Sequence, residues 1–367
     1  MKEEVRELLG RASAMPNGYA KADVTREAVR LADVAQDLDL QFETRLKHVS
    51  STVFAGQPAE AIVAYSWLLN HREAYGDRQE YSLLWAYKWI IDSVIDAADF
   101  SKEQVDYFIA DARKRFEAYL GPQTRPIDSL EVIYRIQRGD LEGARKLLES
   151  LKGTKRGELS DCLACEESRR SYDWFQVGDV AAATEVHDAF LKSRRSCAEE
   201  PMRANSRASL FYAVAGRWED AEAMYKSGMA KSTRTPHLVL HCSLYGMAYK
   251  LLAGQEDQAL PVFDRALGNY MDTLEKWRSF NFYLVSHRVM ERQIEKGKKT
   301  LRLKSADRLP MAITNGKLEG EVPLPELSAW LLEEAAAIGQ KFDQRNGADY
   351  IAKRIEARWP FVLGAPD

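Results

Sequence analysis

Apolar residues recur at three- and four-residue steps along nearly the whole chain, which puts them on one face of an α-helix and leaves charged residues on the other. The pattern predicts an all-α protein. The helical runs are punctuated at glycines. Gly56, Gly139, Gly178, Gly216 and Gly254 are each followed five residues later by alanine, at Ala61, Ala144, Ala183, Ala221 and Ala259. From Gly139 onward the glycines lie 39, 38 and 38 residues apart. A fixed period of this size marks stacked helix pairs. The glycine closes a first helix, A, in a left-handed cap. The alanine, one turn into a second helix, B, lets the two approach. Nine residues after each glycine stand Tyr65, Leu148, His187, Tyr225 and Phe263, mostly bulky enough to fill the next groove.

Windows such as AGRWEDAEAMY (215–225) and AGQEDQALPVF (253–263) resemble the tetratricopeptide repeat. The usual period of that repeat is about 34 residues, so each unit here carries about four more. The resemblance implies a right-handed superhelical solenoid of helix pairs with a 38–40-residue period. HEAT-like arrays are the nearest rival and do not predict the glycine–alanine step. Three further strings, SDCLACEE (160–167), SCAEEP (196–201) and FDQRNGADY (342–350), resemble an uncharacterised group of bacterial tetratricopeptide proteins. In that group a histidine often follows the proline of the second string, and here the position is Met202. A broader similarity is to peptide-sensing bacterial regulators, some of which carry an N-terminal helix-turn-helix. Residues 1–38 are acidic and lack a basic recognition helix, which argues against promoter binding.

The same pattern divides the chain. Residues 1–38 predict an N-terminal helical cap, with a helix starting after Thr25, and residues 39–295 the repeat array. Inside the array, residues 79–97 are apolar nearly all round and predict a buried helix. Ser101 with Gln104 forms a capping box for the next helix, and GPQTRP (121–126) is a joint. Residues 296–325 lose helical periodicity and predict an irregular segment or small β-hairpin. Residues 326–359 resume as a helical cap whose Leu327, Leu331, Ala335, Ile338 and Phe342 share one face, with Asn346-Gly347 as a helix end. Residues 360–367 are expected to form a tail.

Composition narrows the function classes. Hydrophobic residues make up 46% of the chain and charged ones 29%, with a net charge of −3, so no global charge draws it to nucleic acid or anionic membrane. The densest apolar run, Tyr81 to Ile91, is broken by Lys88 and is too short to span a bilayer. The N-terminus has no apolar stretch of the signal-peptide kind, and the thiols are few, so a cytoplasmic setting with reduced cysteines is expected. No phosphate-binding loop, nucleophile elbow or dinucleotide fingerprint occurs, and a non-enzymatic role follows as the expectation.

Candidate chemistry falls in three places. Cys162 and Cys165 form a C-x-x-C at the start of one helix A, and Cys197 precedes the next. Three thiolates at one end of neighbouring helices could grip zinc, with no obvious fourth ligand. Buried, unreactive thiols fit the same spacing, so no cofactor is the default expectation. A redox role would need a βαβ setting that the pattern lacks. His237 and His241 share a helical face without the glutamate of a zinc protease. Lys296, Lys298, Lys299, Arg302, Lys304 and Arg308 form a basic cluster without interleaved aromatics, read as a solvated edge facing Glu333 and Glu334.

The third place is the face that a tetratricopeptide array turns inward. Counting back 13, 10, 9 and 6 residues from the glycine selects Cys165, Ser168, Arg169 and Tyr172 in one unit. The next two units give Arg203, Ser206, Arg207 and Leu210, then His241, Leu244, Tyr245 and Ala248. Arg169 and Arg207 occupy equivalent places and are expected at the surface. The resemblance implies a concave surface for a protein or peptide and, since some tetratricopeptide domains hold a terminal carboxylate with basic residues at these places, an anion-binding face. The full set of asparagines and lysines of that clamp is not here, so only a loose one is implied. A ligand- or metal-sensing regulator using the cysteine corner is the alternative.

Overall fold

All five repeat glycines take the left-handed conformation, with φ of 72° at Gly56, 79° at Gly139, 82° at Gly178, 74° at Gly216 and 64° at Gly254. At each, the glycine N–H donates to the carbonyl three residues back and the next N–H to the carbonyl five back, as Arg217 does to Tyr212 at 2.9 Å. This double bond satisfies carbonyls that a helix end leaves open, and only glycine adopts the turn at low cost. The five alanines that follow are fully buried. The period read from the sequence is therefore a physical repeat of capped helix pairs.

The structure, a computed structural model, describes residues 1–75, 79–230, 236–273, 275–314 and 320–361. The helices are α1 (Lys2–Ala14), α2 (Tyr19–Ala35), α3 (Leu38–Val53), α4 (Pro58–Asn70), α5 (Arg72–Tyr75), α6 (Glu80–Ile95) and α7 (Lys102–Leu120). They continue as α8 (Arg125–Gln137), α9 (Leu141–Gly153), α10 (Leu163–Gln176), α11 (Val180–Ser193), α12 (Met202–Val214), α13 (Trp218–Met229), α14 (Pro236–Leu252), α15 (Glu256–Asp272) and α16 (Lys276–Glu295). After strand β1 (Thr300–Leu303) come α17 (Met311–Thr314), strand β2 (Gly320–Pro323), α18 (Leu324–Asn346) and α19 (Tyr350–Glu356). The chain is almost entirely helical, built of paired helices at roughly 30–40-residue spacing. None of the described helices is long and apolar enough to cross a membrane.

Two compact units divide the chain. Unit 1 takes Met1–Glu131 with Gly153–Ser160 and Thr273–Glu275. Here α1 to α4 pack in succession, and α6 lies against both α3 and α4. A polar chain runs through this packing. His48, only 4% exposed, meets the Thr25 hydroxyl at 2.9 Å and Glu60 at 3.1 Å, and Arg26 holds Glu60 from α2. Thr25 is therefore a buried mid-helix residue and not a cap, because α2 starts earlier, at Tyr19. Lys88, which breaks the apolar run of α6, is buried as well. Its ammonium donates to the Leu159 carbonyl at 2.9 Å and lies 3.7 Å from the centre of the Trp85 ring.

Unit 2 takes Val132–Lys152, Asp161–Asp272 and Lys276–Asp367. Helices α10, α12, α14 and α16 pack in sequence, while α11, α13 and α15 pair with their own partners. The small hairpin forms, with Thr300 opposite Pro323 and Leu303 opposite Gly320 in an antiparallel ladder. The longest helix, α18, lies along α16 and buries Leu327, Leu331, Ala335 and Phe342 completely. Its far end reaches back to the close of α8. Arg345 donates to the Gln137 side chain at 3.3 Å and Asn346 to the Gln137 carbonyl at 3.4 Å.

Candidate functional site

Little of the expected inward face is open to solvent. On α12 ten consecutive residues, Ala204 to Ala213, are buried, and α14 is buried from Leu238 to Leu251. Tyr172 on α10 is partly exposed, and its ring meets Tyr245 of α14 edge-on at 5.3 Å. Between them, Arg207 of α12 is 7% exposed, with its guanidinium 4.8 Å from the Tyr172 ring centre and 5.9 Å from that of Tyr245. The surface position expected for Arg207 is thus corrected: neighbouring helices close over it. Its polar contact is Ser168 at 3.5 Å. Burial beside Tyr245 pushes the Tyr172 hydroxyl well above its ordinary range.

The other members of the row divide. Arg203 is held by Glu199 at 2.5 Å and Glu200 at 3.1 Å. Burial alone would lower its pKa, and these two carboxylates outweigh that and raise it. The half-buried Arg169 lies near enough for its charge to oppose that of Arg203. Ser206 lies against Gly228 of the paired helix α13, where an added Cβ would come within 2.7 Å of the Ser206 backbone nitrogen. His241 is 5% exposed, and the side chain of His237 lies outside the described residues.

What covers the row is partly the far end of the chain. Trp359 and Phe361 are 2% and 3% exposed. The Phe361 ring lies 6.2 Å from Phe175 of α10, 6.1 Å from Tyr245 of α14 and 5.3 Å from Trp359. Arg354 of α19 contributes its charge toward Tyr172 and donates to the Tyr350 hydroxyl at 2.6 Å. The segment expected as a free tail from residue 360 is therefore anchored at Phe361, and residues 362–367 lie outside the described residues. The sequence signal for this was Trp359-Pro360-Phe361, two aromatics after a helix end, which exposed tails seldom carry.

At the start of α10, Cys162 sits at the N-cap and its sulfur accepts the Cys165 N–H at 3.4 Å. The Cys165 and Cys197 sulfurs are 3.6 Å apart, and the three sulfurs all lie within 4.8 Å of one another. Cys162 and Cys197 are exposed and Cys165 is partly exposed, so the trio is not buried. Arg203 reaches Cys165 from α12, with a guanidinium nitrogen 3.9 Å from the sulfur. Burial and the neighbouring Cys162 thiol push the Cys165 thiol upward against that cation. Cys242 stands outside the trio, fully buried, with its pKa pushed up to about 11 by burial.

The basic cluster has partners other than those expected. Lys296 binds Glu256 at 2.6 Å, Lys298 binds Asp257 at 2.5 Å, and Arg308 pairs with Asp272. Asp264 accepts the backbone N–H groups of Lys304 and Ser305. Three side chains of the cluster and the turn after β1 thus meet acidic residues of α15 in place of the expected Glu333 and Glu334. No protein-family profile matches the chain and no curated protein matches it, so the site stands on its own chemistry.

Proposed function

We propose that the chain is a non-catalytic interaction module, working in a reducing cytoplasm, that binds a short peptide carrying aromatic side chains on the α10–α12–α14 face of unit 2. One observation carries the reading: the chain's own Trp359–Phe361 segment is seated there, against Phe175 and Tyr245. A face that accepts this segment accepts a partner segment of the same chemistry in competition with it. Arg207 supports an anionic element in that partner. Its guanidinium is buried between two tyrosine rings, and its Nε has no hydrogen-bond partner among the described residues. A carboxylate there would offset the cost of burying the cation. The intramolecular segment holds the face until a partner outcompetes it, so the module is regulated by its own end.

A labelled peptide of residues 350–361, added in trans, tests this. It is expected to bind a W359A/F361A variant at micromolar concentration, and to bind the parent protein at least about tenfold more weakly. Circular dichroism guards against unfolding of the variant. Equal binding to both proteins, or none to a folded variant, overturns the reading.

A further inference from the structure

Three sulfur atoms from two separate segments meet at one end of α10 and α12, within 4.8 Å of one another. Zinc–sulfur bonds of about 2.3 Å set tetrahedral thiolates about 3.8 Å apart. The Cys165–Cys197 pair, at 3.6 Å, already stands at that separation. The remaining sulfur, Cys162, needs to close by about 1 Å at most, within the reach of a side-chain rotation. Two features favour negative charge, against the burial that raises the Cys165 thiol. Cys162 is the N-cap of α10, where the unpaired N–H groups and the helix dipole favour an anion. Arg203 brings a cation to 3.9 Å of Cys165.

We propose that Cys162, Cys165 and Cys197 hold one zinc ion as three thiolates, with the fourth position open toward solvent on the exposed side of Cys162 and Cys197. Each thiol yields its proton to solvent as its sulfur–zinc bond forms, and no electron changes hands. The zinc–trithiolate carries one net negative charge, and Arg203 lies beside it. The ion ties the start of α10 to the segment entering α12, across all of α11. An open fourth position takes water or an exchangeable donor from a partner, which separates this site from a closed structural one. Soft thiolate donors select zinc over magnesium or calcium. The inference is independent of the peptide reading, because no residue of the Trp359–Phe361 segment takes part.

The full chain, reduced and stripped of metal, is titrated with zinc against a chromophoric indicator and separately with cobalt(II). The expected result is one ion per chain at submicromolar affinity, with cobalt giving thiolate charge-transfer absorption and a tetrahedral visible spectrum. C162S and C197S are each expected to weaken binding at least about 100-fold while the helical spectrum is kept. Should either variant fold poorly, alkylation of the parent protein gives a second measure. Zinc is expected to protect Cys162, Cys165 and Cys197 together, as read by peptide mass spectrometry, and to leave Cys242 unchanged. Absence of stoichiometric binding, a cobalt spectrum without thiolate absorption, or protection of fewer than these three thiols overturns the proposal.

Discussion

His187 takes, in its repeat, the place that Tyr65, Leu148, Tyr225 and Phe263 fill in the others. It is fully buried among the rings of Phe190, Phe211 and Tyr212, 5.6–5.7 Å away, and burial lowers its pKa to about 4. An unfolded chain binds this proton from about pH 6.5 downward, while the folded one refuses it until about pH 4. The unfolded state therefore holds more protons in that window, and stability falls as the pH drops through it. The ceiling of the effect is about 3 kcal/mol. His187→Phe is expected to remove that slope, checked by urea unfolding of both proteins at several pH values between 4 and 7. Arg207 makes a second residue-scale case. The sequence alone places it at the surface. Buried between Tyr172 and Tyr245, Arg207→Glu is instead expected to cost about 3–5 kcal/mol. Arg207→Met, which keeps the length and drops the charge, should stay within about 1–2 kcal/mol of the parent. Equal denaturation midpoints for R207E and the parent would restore the surface assignment.

At the scale of the element, the helix ends were the most legible part of the chain. The glycine–alanine step works because both residues act locally: one backbone conformation and one small contact, each within six residues. The capping box is equally local, and both halves form, with Gln104 N–H to Ser101 Oγ at 3.3 Å and Ser101 N–H to Gln104 Oε1 at 2.8 Å. Gly297 and Gly347 end α16 and α18 in the same way; the Asn346-Gly347 end is legible in the sequence, while the Gly297 end is not, since it leads into a strand and no helix B alanine follows. What covers the α10–α12–α14 face could not be read, because Phe361 and Tyr245 are far apart in sequence and no local pattern encodes their meeting. The three thiols fall between these cases: their spacing was visible, their convergence was not. A pair of substitutions separates local from distant causes. At Gly216 a Cβ meets nothing within 4 Å, so Gly216→Ala should cost only the left-handed backbone penalty, about 1–2 kcal/mol. At Gly139 a Cβ would lie 2.7 Å from the Tyr350 ring, so Gly139→Ala should cost clearly more. Thermal denaturation of the two variants side by side checks the order.

For the molecule as a whole, the two units rest on different chemistry. Unit 1 runs a polar line, Thr25–His48–Glu60–Arg26, from two buried residues inside its helix stack out to the partly exposed Glu60 and the exposed Arg26. Unit 2 carries the thiol corner and the occupied face. The contact between Gln137 and Arg345, 208 residues apart, has a consequence for how unit 2 comes undone. An open solenoid behaves like a stack of coins: the outermost repeat peels first, and amide exchange quickens toward both ends. Within unit 2 the end of α18 is latched onto the close of α8, the first segment of that unit, so the unit has no free last repeat there. The backbone amides of α8 and α19 should exchange with deuterium as slowly as those of α12, through one cooperative opening, and refolding should be slowed by the long loop that must close first. Tyr350→Ala removes the ring that packs on Gly139 beside this latch and loosens it, and should bring faster exchange to the close of α8 and to α19 while α12 stays protected: a stack of coins again, peeling from its rims.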